Sequence, residues 1–289
     1  MDTISFQFVE QVVRQLKSVG ELRSIEGFWK LAADEQLDRR CEFIFQISAT
    51  KNPTLWLYSF YSRIYGFCSM DFIQQMDQRY VQVIGFSIFP SCEKPTNCFK
   101  INHSLQESQV ISTLFPFVRS LTRQAVLNVD CSAALPQLYH KFFGSFYIYL
   151  STCYQFEELI IHYYGDQSRL FLENQLSDGS VKKVKLMGDW TDDDLRFAVE
   201  NIKKIDQLKI DSLMLHIDEE WLEDLISLWK QGHFEGKRLI VSASTNEKTV
   251  ERVMKNKEHT RWLCYGYKMF NARNKEFFIW SHGRISIRV

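Results

Sequence analysis

Apolar positions first recur at helical spacing. Phe8, Val12 and Leu16 lie four apart with Val9 and Val13 beside them, which makes one broad apolar face of a helix. Ser5 stands where an N-cap belongs. Ser18-Val19-Gly20-Glu21 has the capping-box pattern and predicts a second helix with Leu22, Ile25 and Trp29 facing one way. A third short helix fits Leu31 to Leu37. Residues 1–40 therefore read as a compact helical unit, and residues 41–289 as a second domain.

The period changes after Arg40. Phe43, Phe45 and Ile47 alternate with polar partners, as do Leu55 and Leu57, with Asn52-Pro53 as the turn of a β-hairpin. Tyr80 to Phe89 is a strong strand, and residues 90–104, with two prolines and no periodicity, read as a loop. A short strand with an apolar-x-apolar core then recurs every 25–32 residues, around Leu127, Leu159, Val184, Leu213 and Leu239. Helical stretches lie between. Trp190 to Ile205 and Asp218 to Lys230 both begin with acidic residues, which favour a helix N-terminus. No single strand–helix unit buries its own apolar stripe, whereas stacking does. The predicted class is α/β: a short N-terminal helical unit followed by a degenerate leucine-rich-repeat-like βα solenoid. An α/β sandwich with crossover helices is the alternative. The tail from Arg261 reads as two or three antiparallel strands, a terminal hairpin that covers the last edge.

Composition narrows the function classes. The 289 residues are 45% hydrophobic and 24% charged, ordinary values for a globular chain. The 35 basic and 35 acidic residues cancel, which gives no electrostatic reason to expect nucleic acid or an anionic membrane as partner. No apolar run reaches the length of a membrane span, and the N-terminus, with Asp2 and Glu10, does not read as a signal peptide. Seven scattered cysteines fit reduced thiols and a cytoplasmic or nuclear location.

Catalytic motifs are missing. The chain holds no Gly-x-Gly-x-x-Gly, no phosphate-binding loop, no His-Glu-x-x-His and no Gly-x-Ser-x-Gly. Cys92, Cys98 and His103 are spaced unlike a zinc site, which pairs cysteines two to four apart and needs four ligands. Asp192-Asp193-Asp194 is explained as an acidic first turn. His162 and His216 follow two different strands and fit solvated strand ends. Cys153 has no acid placed to orient a His162 base. No catalytic residue, cofactor or metal ligand is assigned. Clustered aromatics at residues 142–149 and 262–280 divide between core packing and an interaction surface.

The N-terminal segment resembles an F-box. "FVEQVVRQL" stands at the first helix and "FWKLAAD" at the tryptophan-containing end, with Ile4-Ser5 in place of the Leu-Pro pair. The whole chain resembles a nematode-expanded family of F-box-like proteins, through Asp77-Gln78-Arg79-Tyr80 ahead of a Val/Ile-rich strand and through the stretch Trp229 to Lys237. The resemblance implies a non-enzymatic adaptor. The N-terminal unit would hold a ligase adaptor subunit through Ile4, Phe8, Val9, Val12, Leu16 and Trp29, and the repeat region would select an unidentified target protein. In the alternative reading, the helix face packs on the hairpin from Phe43 to Tyr58, and the scaffold holds one partner without ligase docking.

Overall fold

The computed structural model describes residues 4–16, 18–50, 52, 54–89, 103–129, 138–245, 247–255, 260–262, 266–270, 276–281 and 284–288. Two compact units divide the chain, Met1–Phe142 and Phe143–Val289.

The first unit opens with α1 (Phe6–Gln15), and the Ser5 hydroxyl accepts from the Phe8 amide at 3.3 Å. The Ser18 capping box does not form. Gly20–Ser24 is a single 3-10 turn with no side-chain cap, and the Ser24 hydroxyl instead donates to the Glu21 carbonyl at 2.7 Å. The two expected helices are one, α2 (Phe28–Arg39), entered through Gly27 at φ 80°, a conformation that suits glycine. Val9, Val13, Val19, Ala32 and Ala33 form a small buried core of their own, with Phe6, Leu16, Leu22 and Trp29 packed around it.

The sheet of this unit comprises β1 (Cys41–Ala49), β2 (Leu55–Ser62), β3 (Gly66–Cys68), β4 (Val81–Phe89), β5 (His103–Gln106) and β6 (Thr122–Val129). Its order is β6-β4-β1-β2-β3, with β5 also on β2. β1, β4 and β6 run parallel, and β1 and β2 form the expected antiparallel hairpin. Along β1 every residue from Phe45 to Ala49 is buried, so both faces are covered. The cover includes α5 (Phe115–Leu121), whose Phe115 ring meets Phe45 edge-on at 6.2 Å. Two shorter helices complete the unit, α3 (Met70–Gln75) and α4 (Glu107–Gln109). The division point lies within α6 (Leu138–Cys153).

In the second unit, β7 (Phe156–His162), β8 (Lys183–Met187), β9 (Gln207–Ile217) and β10 (Arg238–Thr245) are adjacent, parallel and in chain order, as expected. The repeat is set differently in β9, however: Val184 and Leu239 pair with Leu208, not with Leu213, so its aligned core is Leu208 and Ile210. The helices between and after them are α7 (Asp166–Ser177), α8 (Asp192–Glu200), α9 (Glu219–Lys230) and α10 (Glu247–Met254). Strands that advance in one direction through right-handed connections place all their helices on one face. Burial agrees. Leu159, Ile161, Val184, Leu186, Leu208, Ile210, Leu239 and Val241 are buried, while their neighbours along each strand are not. The tail forms four strands rather than two or three: β11 (Thr260–Trp262), β12 (Gly266–Phe270), β13 (Glu276–Ser281) and β14 (Arg284–Arg288). They are antiparallel, and β14 pairs with β10 and covers its edge. The sheet is open, not a closed barrel.

The acidic helix starts act as caps. Thr191 accepts from the Asp194 amide at 3.2 Å, and Asp194 takes the Thr191 hydroxyl at 2.7 Å and Arg169 at 2.9 Å. Asp194→Ala removes the reciprocal half of the capping box and a partner of Arg169, so it should cost about 1–2 kcal/mol. A urea titration checks this, and an unchanged midpoint would exclude a capping role.

Candidate docking surfaces

The first candidate is the outer side of the N-terminal helices. Val9 and Val13 turn inward, and Val9 is only 1% exposed. The opposite side of α1 and its approach are open, with Ile4 52% and Phe8 53% exposed. Val12, Leu16 and Trp29 are half-buried, and the last two pack on the small core. Of the six residues implied as contacts, Ile4 and Phe8 thus lie outside, Val9 lies inside and the others lie between. α2 adds side chains that the sequence reading did not single out as contacts. Its small Ala32 and Ala33 fill the core beside Trp29, and its other large residues stay open: Leu31 is 59% exposed, and Phe28, edge-on to Phe6, and Leu37 are nearly half exposed. Ile25, in the preceding turn, is exposed as well. An inward Ala-Ala pair flanked by Phe28, Leu31 and Leu37 is the signal that would have found this side. Bulky residues that face water beside a core of alanine and valine are unusual in a free-standing domain. The α1 inner face meets α2, where two alanines let the helices approach closely.

The second candidate is the half-exposed face of the parallel strands in the second unit. Pairing register sets three rows across it. Glu158, Lys183, Gln207 and Arg238 form one; Ile160, Lys185, Lys209 and Ile240 form the next; His162, Met187, Asp211 and Ser242 form the third. Lys185 and Lys209 stand on adjacent strands, and one oxygen of the Asp211 carboxylate lies 3.9 and 3.8 Å from their ammonium groups. Lys183 pairs with Glu158 at 3.6 Å. Parallel sheets normally have both faces covered by apolar side chains, and this face carries charges instead. His216 lies opposite Ser244, beyond an irregularity in β9, so both histidines flagged in the sequence belong to this face at separate strands. A groove of about 220 Å³ also runs between α8 and α9, with Val199, Trp221, Leu225 and Leu228 along it and Arg196 paired with Asp224 at its rim.

Among the described residues no group of three or more His, Cys, Asp or Glu could hold a metal ion. Asp192, Asp193 and Asp194 belong to the first turn of α8. Cys92, Cys98 and the side chains of Cys153 and of the tail aromatics lie outside the described residues. Of the earlier aromatic cluster, Phe143, Phe146 and Tyr147 are buried in the core. Among the described residues no helix is long and apolar enough to cross a membrane. Comparisons with protein-family models, with curated proteins and with solved structures find no match.

Proposed function

We propose that this chain is a non-enzymatic protein-interaction adaptor of the cytoplasm or nucleus. Its N-terminal helical unit docks an adaptor subunit of a cullin-type ubiquitin ligase, and its second unit, a degenerate leucine-rich-repeat-like solenoid, recruits a target protein. The observation that carries the reading is the set of large apolar side chains exposed on residues 4–37, among them Ile4, Phe8, Phe28 and Leu31. Helix-in-groove recognition needs such anchors. The one-sided arrangement of β7 to β10 supports the solenoid, and the charged rows across those strands are the surface offered to a target.

Copurification tests the proposal. Tagged full-length chain should bring down ligase adaptor and cullin subunits, and a Phe8→Asp chain should not. Failure of the parent chain to recover them would leave the second reading, a scaffold that holds one partner without ligase docking. The charged sheet face would serve that reading as well, since it does not involve the N-terminal helices.

A further inference from the structure

Between the N-terminal helices and the first sheet lies a second feature, unrelated to docking. Arg14 of α1, Arg40 at the end of α2, Arg79 ahead of β4 and Arg123 of β6 all line one cavity, with Gln36 and Gln82. Its free volume is about 10 Å³, roughly that of one water-sized sphere.

The charges there are unevenly compensated. Arg79 is paired with Asp77 at 2.8 Å and with Glu10 at 3.5 Å. Arg14 donates to the Gln78 carbonyl at 2.8 Å, and Arg123 to its neighbour's carbonyl, Thr122, at 2.6 Å. Among the described residues neither Arg14 nor Arg123 has a carboxylate within 4.0 Å. Burial lowers the affinity of Arg123 for its proton, and the nearby Arg14 charge lowers it further. Burial acts on Arg40 in the same direction. Gln82 is only 4% exposed, and both its amide nitrogen and its amide oxygen lack a hydrogen-bond partner, as does the Arg123 Nε.

Two costs therefore meet at one point: half-buried like charges, Arg14 and Arg123, and the buried Gln82 amide without partners. A water molecule would relieve Gln82 and leave the guanidinium charges facing each other. The room is too small for a bulky organic anion. We propose that this cavity is an anion site that takes a monatomic anion of chloride size, held by Arg14, Arg123 and the Gln82 amide nitrogen. The ion would rivet α1 to β4 and β6 and so fix how the N-terminal unit is carried.

Thermal unfolding of the purified full-length chain tests this, with chloride exchanged for gluconate at constant ionic strength. The parent should show a saturable rise in midpoint of about 2–4 °C as chloride increases. That rise should vanish in Arg123→Met, which removes one of the half-buried charges, and in Arg14→Met, which lies on a partly exposed helix and serves if the first variant fails to fold. A parent indifferent to chloride means a water only. An equal response in parent and variants means surface screening. Either result overturns the site.

Discussion

Trp229→Ala should destabilise the second unit by about 3–5 kcal/mol, the usual cost of truncating a buried aromatic. Trp229 is 2% exposed and is among the largest fully buried side chains of the chain. It shares the inner side of α9 with Trp221, Leu222, Leu225 and Ile226. α9 is fixed at its start by Asp218, whose carboxylate accepts from the Trp221 amide at 2.8 Å, and it ends before Gly232 at φ 76°. The helix therefore cannot slide to refill the space that the indole leaves. Urea unfolding of the full chain measures the loss. An unchanged midpoint with partner binding abolished would make Trp229 a contact and not a core residue.

Phe8→Ala combined with Leu31→Ala should do the reverse. Both side chains are more than half exposed, so their removal should shift stability by no more than about 0.5 kcal/mol each. Truncating central anchors of a docked helix costs at least about 2 kcal/mol of binding, roughly a thirtyfold loss of affinity for the ligase adaptor subunit. Val13→Ala gives the opposite signature, because Val13 is fully buried in the small helical core. A double variant that unfolds the N-terminal helices would place Phe8 and Leu31 in a core and remove the case for docking.

The alternation of β7, β8 and β10 was legible in the sequence because each has a buried row beside a more polar one, whereas in β9 the sequence marked Leu213 and the paired core is Leu208 and Ile210. Val184 and Leu186 against Lys183 and Lys185 can be read without any neighbour. The capping of α8 and α9 was legible for a similar reason, since Thr191 and Asp218 act on amides only three residues away. The helices before β1 were legible as existing but not in their division. Ser18 to Glu21 has the right residues for a capping box, yet the turn after it ends at Ser24, and Gly27 starts the real helix. The outward side of α2 was missed because apolar residues at helical spacing say nothing about which of them find a partner. Ala32 and Ala33 took the core, and Phe28 and Leu31 were left outside. The charged rows needed cross-strand register, which relates Lys185 to Lys209 and Asp211 across more than twenty residues of chain. The arginine cavity gathers residues from positions 14 to 123, and nothing local marks it.

The central claim is that α1 and α2 present a docking surface to a ligase adaptor. Hydrogen exchange of the full-length chain, with and without a saturating excess of the purified adaptor subunit, tests it most directly. The account predicts added protection over residues 4–39, where Ile4, Phe8, Phe28 and Leu31 lie exposed, and no change along β7 to β10. Exchange that is identical with and without the adaptor, or protection confined to the second unit, would contradict it.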